Sequence, residues 1–372
     1  MSKIKLPHAS GNSMSIGAPA TNPASDLELK LPATVGTAGQ VLKNSDTAGT
    51  LEFGPASRLH RNLIINGAMQ VAQRGTAEVT AANDTNTYRA DRFKFAENTA
   101  ATVAMSIQDG TGEFAKCLKV RVTGTDTSVD SNDRASIQTI IEDLDVKHLQ
   151  WGTANAESVT ISFWVRSNAA QTYCLNLYNS GTNNRTYIAE YAISSADTWE
   201  KKTLTIPGDT TGTWGHIGVK WVLMGGSDKV GSAGWGAWSG SGGLEMQTSN
   251  QYNWLGATND FHLTGVQLEV GDVATDFEHK SYGDELARCQ RYYGTGGNSN
   301  GTTTYPSSDG YGRGWHDFKV QMRATPTMTF SDRSTGGSKI GDNINNGGFF
   351  VTYGSLGASQ AGTYDWTASS EL

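Results

Sequence analysis

The chain has 372 residues, only 17% of them charged, and a net charge of −7. A weakly acidic chain without a block of Lys and Arg is repelled by phosphate backbones and anionic headgroups, which excludes a general nucleic-acid binder and a basic membrane-surface protein. No apolar run approaches the ~20 residues of a membrane span, and MSKIKLPHASGNSM lacks the apolar core of a secretion signal, so synthesis in the cytoplasm without membrane insertion is expected.

Glycine fills 44 of the 372 positions, well above the ~7% of ordinary chains, and Ser, Thr and Asn are plentiful. That composition suits many short strands joined by turns. Cys117, Cys174 and Cys289 are far apart in sequence and form no Cys-x-x-Cys, so free, buried thiols are expected rather than a disulfide frame or a metal site.

Residues 1–56 hold five of the eight prolines and little that could form a core. This stretch is expected to be extended, with a short hairpin at GQVLK–NSDTAG–TLEFG, and to need a partner, because one hairpin is not stable alone. Residues 57–280 alternate apolar and polar positions through roughly ten short strands separated by Gly, Asp and Pro turns. SVTISFWVRS shows it best: Val159, Ile161, Phe163 and Val165 on one face, Thr160, Ser162, Trp164 and Arg166 on the other. The pattern predicts an all-β chain built on a jelly-roll β-sandwich.

In FHLTGVQLEV, Phe261 and Leu263 have one parity and Val266, Leu268 and Val270 the other, which places a bulge at Gly265. One short helix follows over 281–294. Ser281 and Asp284 have capping-box spacing, Tyr282, Leu286, Cys289 and Tyr293 form an apolar stripe, and Asp284 and Arg288 are spaced as an i, i+4 pair. Residues 295–372 read as a small β domain, with alternation at Phe318, Val320 and Met322 and later strands at GGFFVTYG and TYDWTASSEL. Such a unit is marginal alone, and burial of its apolar face between three copies is the simplest remedy.

Four segments carry a resemblance. NLIINGAMQVAQRGT (62–76) with YRADRF (88–93), GVQLEVGDVATDFEHKSYGDELARCQRYY (265–293) and FKVQMRATPTMTF (318–330) resemble the carbohydrate-binding-like domain of bacteriophage tail fibre proteins and the segment after it. LKLPATVGTAGQVLKNSDTAGTLEFG (29–54) is similar to short N-terminal modules of marine phage structural proteins. The resemblance implies a homotrimeric virion protein of the tail, made in the host cytoplasm and attached to other tail or virion proteins through its N-terminal segment. Its C-terminal domain would be distal, and its ligand a host surface polysaccharide. The alternative is a purely structural tail or capsid adaptor. Jelly rolls of the resembling type often carry structural calcium, for which Asp84, Asp91 and Glu278 are the acidic residues near the ends of the sandwich, although no EF-hand spacing is present.

No P-loop, HExxH, GxSxG or GxGxxG occurs, and the seven histidines have no metal-ligand spacing, so a binding protein is expected rather than an enzyme, with no cofactor. The feature that points to a ligand is the stretch 231–260, which sets Trp235, Trp238, Tyr252 and Trp254 among Gly, Ser and Asn. Indole faces stack on the C–H faces of sugar rings while amides and hydroxyls bond their hydroxyl groups. The same residues would also serve to cover a sandwich edge or a subunit interface. A second aromatic surface is expected at the distal end from Tyr305, Tyr311, Trp315, Tyr364 and Trp366.

Overall fold

The computed structural model describes residues 3–7, 13–17, 29–36, 40–45, 47, 49–55, 61–81, 86–180, 185–237, 245–297, 312–332, 339–353 and 364–372. The chain forms two compact units, residues 1–59 and residues 60–372. In the first unit, β1 (Lys3–Pro7) pairs with β2 (Ser13–Gly17), and β3 (Gln40–Asn44) pairs with β4 (Leu51–Pro55), both antiparallel. The second hairpin is where alternation and the Asp46–Gly49 turn predicted it. The first lies in a stretch read from sequence as extended. Leu29, Leu31 and Val35 are 62%, 72% and 91% exposed.

The second unit is a jelly-roll β-sandwich followed by two smaller sheets. Its strands are β5 (Val79–Thr80), β6 (Asn86–Tyr88), β7 (Lys94–Asn98), β8 (Thr102–Asp109), β9 (Lys116–Gly124), β10 (Arg134–Ile141), β11 (Val159–Ser167), β12 (Thr172–Asn179), β13 (Arg185–Ala192), β14 (Glu200–Ile206), β15 (Ile217–Gly225), β16 (Gly234–Ala237) and β17 (Asp260–Val270). One sheet has seven strands in the order β16-β13-β12-β15-β10-β7-β6, and the other six in the order β14-β11-β17-β9-β8-β5. Neighbouring strands in both sheets run antiparallel. Their inner faces interlock through Phe93, Phe163, Tyr173, Trp221, Phe261 and Leu268, all fully buried. Phe163 and Trp221 meet edge to face across the core at 5.7 Å.

Strand β17 organises the six-stranded sheet. Its register against β11 slips where Phe163 faces both Gly265 and Val266, and Gly265 has φ +59°. This is the bulge read from the change of parity, and it lets Phe261, Leu263, Val266 and Leu268 all point inward. A side chain at Gly265 would drive into the rings of Phe114 and Trp164, at 2.6 and 2.9 Å from its Cβ. Neither face of the strand is open to solvent: His262, Thr264, Gln267 and Glu269, on its polar face, are 5%, 0%, 0% and 3% exposed.

The opening of the unit bonds the main chain of the strand beside that face. Asn62 Oδ1 accepts from the Leu268 amide at 3.1 Å, and Asn62 Nδ2 donates to the Val266 carbonyl at 3.1 Å. Leu63 N donates to Leu268 O, and Val266 N to Gly67 O, each at 2.9 Å. Residues 62–67 thus strap the strand like a partial neighbour, and a Cβ on Gly67 would sit 2.0 Å from the Val266 carbonyl oxygen. Segment 275–278 completes the cover: Thr275 donates to the Glu269 carboxylate and Glu278 N to Gln267 Oε1.

The short helix α1 (Asp143–Val146) follows β10. The second helix, α2 (Tyr282–Gln290), follows β17, capped by Ser281, whose hydroxyl accepts from Asp284 N at 3.1 Å. The cap is as read from sequence, but the stripe is not. Tyr282 is 55% exposed, and the buried positions are Glu285 and Cys289. Glu285 faces inward because its carboxylate accepts the amide of Asn66 at 2.9 Å. Asp284 accepts from the Ser281 hydroxyl.

Past the helix, β18 (Tyr293–Gly297), β19 (Gly312–Asp317), β20 (Thr327–Asp332), β21 (Lys339–Asp342), β22 (Gly348–Tyr353) and β23 (Tyr364–Ser369) form two three-stranded sheets, ordered β18-β23-β20 and β19-β22-β21. They share a small core around Phe349, Val351 and Tyr364. The alternation at Phe318, Val320 and Met322 does not make a strand, since these residues lie between β19 and β20 with the chain pinned by Met322 N to Asn346 O and Arg323 N to Arg291 O.

The last residues return to the sandwich. Glu371 forms ion pairs with Arg92 and with Arg74, the latter at 3.2 Å, and the guanidinium of Arg92 stacks on Tyr292 at 3.4 Å. Asp91, beside them, accepts from Gln73 Nε2 at 2.6 Å. Its burial pushes its pKa up to about 6, against the opposing pull of Gln73 and Arg74. Glu371→Ala would leave the buried Arg92 charge without its partner. We expect a loss of about 3–5 kcal/mol in unfolding free energy, read as a lower urea midpoint at unchanged m-value.

Candidate functional site: an indole-floored cleft

The loop between β10 and β11 and the loop between β14 and β15 close on each other at one end of the sandwich. Between them lies a cleft of about 430 Å³, within the ~300–1,000 Å³ of small-ligand sites. It is lined by Asp143, Lys147, Gln150, Trp151, Thr153 and Trp214, among others. Two glycines make the closure possible. Gly152 (φ +89°) and Gly212 (φ +81°) occupy left-handed conformations, and a Cβ on Gly152 would lie 2.2 Å from the Gly212 carbonyl oxygen.

The floor is aromatic and fixed. Trp151, Trp214 and Trp235 meet edge to face in a triangle with centroid separations of 4.7, 5.5 and 5.4 Å. Each indole N–H is engaged: Trp151 donates to Glu157 O at 2.7 Å, Trp214 to Asp209 Oδ2 at 3.1 Å, and Trp235 to Pro207 O at 2.8 Å. Held in this way, the rings have little rotamer freedom left to lose on binding. Trp214 is half-buried and Trp151 nearly buried.

Asp209 is the support. It is 2% exposed and receives both Nε and Nη2 of Arg185, each at 2.7 Å, together with Thr211 Oγ1 at 2.9 Å. Burial alone would raise its pKa, but the bonds from Arg185 and Thr211 outweigh burial and hold the carboxyl below its ordinary value. At the rim, the Asp143 amide donates to His216 Nδ1 at 2.9 Å, and the Lys147 ammonium lies 3.9 Å from the Asp143 carboxylate. The cleft therefore offers an aromatic floor, an amide at Gln150, hydroxyls at Thr153 and Thr213, and one ionic pair.

Among the described residues of the stretch singled out in the sequence, only Trp235 joins this site, as the wall behind Trp151 and Trp214. Trp238 lies outside the described residues. Trp254 is a correction. It is 0% exposed and belongs to the core, with its indole N–H directed at Asp260 O. Tyr252 packs on Tyr173, and its amide donates to Thr172 O at the start of β12. The cleft is at the other end of that strand, where Asn179 Nδ2 donates to Thr213 O at 2.8 Å, so Tyr252 is about 20 Å away by strand rise.

In the distal group, Tyr305 and Tyr311 lie outside the described residues. Trp315 is 43% exposed, with its N–H donating to Asp317 Oδ1 at 2.7 Å. Tyr364 and Trp366 are core instead: Tyr364 is buried against His316, and Trp366 packs on Phe349 at 5.2 Å and lies over Gly296. Of the carboxylates considered for calcium, Asp84 is outside the described residues, Asp91 is bonded to Gln73, and Glu278 to Lys280 and the Asn62 amide. Among the described residues no three His, Cys, Asp or Glu side chains gather as a metal site, and no helix is long and apolar enough to cross a membrane.

No protein-family model matches the sequence, and no curated protein matches it. Solved structures with a similar course of chain include the enzymatically active domain of tailspike protein 4 of bacteriophage CBA120, at 9% identity and TM-score 0.30, over 59% of this chain and 23% of that one. They also include the family 11 carbohydrate-binding module of a Clostridium thermocellum cellulosomal cellulase, at 14% identity and TM-score 0.28, over 54% of this chain and 99% of that one. A third is TmCBM61 in complex with β-1,4-galactotriose, at 10% identity and TM-score 0.28, over 57% and 99%. At this level they bear on neither ligand nor activity here.

Asp209→Asn removes the charge that holds Arg185 and Trp214. Because Arg185 still reaches water, we expect about 2–3 kcal/mol of destabilisation, less than for a fully buried pair. The Asp209 pKa is lowered on folding, so this stabilisation is complete above the ordinary value of 3.8 and is lost as pH falls below it. Urea titrations of both proteins from neutral pH downward should show the difference closing only in that acid range.

Proposed function

We propose that this chain is a bacteriophage tail fibre protein, a homotrimeric virion appendage that attaches through its N-terminal segment and holds host surface glycans without turning them over. The observation that carries the binding reading is the cleft at Trp151 and Trp214, whose immobilised indole floor is bordered by Gln150, Thr153 and Thr213. Sugar rings stack their C–H faces on such a floor and bond their hydroxyls to such a rim. Glycoside hydrolysis uses a pair of carboxyl groups, and the residues lining the cleft supply one, Asp143. Binding rather than cleavage is the chemistry that this set of side chains favours.

The phage reading is supported by three of the resembling segments, 62–76, 265–293 and 318–330, which meet in space. Asn62 and Asn66 bond the Val266–Leu268 strand and Glu285, and Arg323 bonds Arg291. Attachment through the first unit is supported by the exposed apolar side chains of Leu29, Leu31 and Val35, which need cover. Several weak sites on several copies then give adhesion its strength.

A glycan array probed with the intact protein should return hits among bacterial surface polysaccharides. Trp214→Ala should weaken the best of them roughly tenfold, the ~1.4 kcal/mol of one ring contact, with the fold retained. An array without hits for the wild-type protein would remove the glycan reading, and release of shortened products on incubation with a bound polysaccharide would replace binding by catalysis. Light scattering of the full chain should give three times the mass of one chain.

A further inference from the structure

The outer face of the seven-stranded sheet carries a second arrangement, at its centre. Register aligns Asn176 of β12, Lys220 of β15, Gln138 of β10, Lys94 of β7 and Tyr88 of β6 in one row across five strands. Partners in antiparallel register point to the same side. Lys220 is only 9% exposed. Its ammonium lies 3.9 Å from the centre of the Tyr178 ring, and that ring lies across Gly218, where a Cβ would be 2.1 Å from Tyr178 Cε1. Among the described residues no carboxylate or carbonyl accepts a bond from it.

An ammonium on a side chain only 9% exposed, set on a ring and without an acceptor among the described residues, is costly. The surroundings raise that cost. Arg134, Lys94 and Lys229 are the charged neighbours that act on Lys220, and all three are cations. Lys94 donates to the Leu372 main-chain oxygen at 3.1 Å, and Lys229 to Asn132 Oδ1. Asn176, the cross-strand partner of Lys220, keeps a buried Oδ1 with no partner, and Gln138 Oε1 is 3.5 Å from the Tyr178 hydroxyl.

We propose that this row, centred on Lys220, is a second binding site, and that it takes an oxyanion, specifically the carboxylate of an acidic sugar. The carboxylate would supply the acceptor that Lys220 lacks, and Tyr178, with Gln138 beside it, would meet the ring and its hydroxyls. The oxyanion site stands on the geometry alone, whereas its carrier being a sugar rests on the glycan-binding reading. Burial, followed by repulsion from Arg134, Lys94 and Lys229, pushes the Lys220 pKa down to about 7. Burial pushes Tyr178 up to about 12, so Lys220 is the member of the pair that titrates near neutrality. Affinity should therefore be highest where Lys220 is protonated and should decline as pH rises above neutrality.

The test is calorimetric titration of the full chain and of Lys220→Met with a galacturonic acid oligosaccharide, a neutral galactose oligosaccharide of equal length, and inorganic sulfate. We expect the uronate to bind the wild type at least ~10-fold more tightly near pH 6 than near pH 9, and Lys220→Met to lose both the affinity and the pH dependence. The neutral sugar should bind both proteins alike. Sulfate that binds the wild type and is lost in Lys220→Met, with no uronate binding, would overturn the acidic-sugar assignment and keep an oxyanion site. Uronate binding unchanged in Lys220→Met, or independent of pH in the wild type, would overturn the site. Should Lys220→Met fail to fold, Lys220→Arg, which keeps the charge, must retain uronate binding and lose its pH dependence. The neutral sugar together with Trp214→Ala reads the indole cleft separately, so loss of one site leaves the other judged on its own result.

Discussion

The bonds that residues 62–67 make across β17 are the constraint on which the sandwich depends. The strand is central in its sheet and carries Gln267 and Glu269 on the face away from the core. Those groups are tolerable because segment 275–278 bonds them, while the strap bonds the main chain beside them. The partners are more than two hundred residues apart in sequence, |i−j| = 206 for Asn62 and Leu268. Closing so long a loop carries an entropic cost, which ordering of the intervening strands lowers. The same holds at Arg92, whose partner Glu371 is 279 positions away. The unit is closed by its two extremities, and its middle carries the two candidate sites.

The two sites solve different physical problems. At the cleft, the half-buried Trp214 is the aromatic surface on offer, and a partly buried ion pair, Arg185–Asp209, keeps it in place. At the row around Lys220, a largely buried charge lies on flat aromatic surface, among other cations and with no acceptor among the described residues. The first arrangement is a rigid, prepaid surface for weak stacking. The second is a stored electrostatic cost that an anion would relieve.

Much of this was legible in the sequence, and the failures have causes. The jelly-roll alternation, the bulge at Gly265 and the Ser281 cap rest on local rules of periodicity, parity and capping, and local rules hold where neighbours do not interfere. Trp254 looked like a platform because Gly, Ser and Asn surround it. It is core because the chain after it enters β17 and carries the indole under the sheet. The α2 stripe failed because Glu285 is needed by the Asn66 amide, a partner 219 residues away. Trp151 and Trp214 were missed although a signal existed. Each sits beside Gly and Thr in a turn, as Trp151-Gly152-Thr153 and Thr213-Trp214-Gly215, and two such turns in one sandwich point to a shared end. Lys220 was not legible at all, since HIGVKWVLM reads as a strand with an outward lysine, and only the sheet shows how deeply that face is covered.

The three thiols have a consequence of another kind. Cys117, Cys174 and Cys289 are buried and unpaired. Burial raises the pKa of each, Cys117 to about 11, so almost none of the reactive thiolate is present near neutral pH. The protein can pass from a reducing to an oxidising medium without gaining a cross-link. The chain then keeps one covalent form across such a change, with its durability resting on packing and noncovalent bonds.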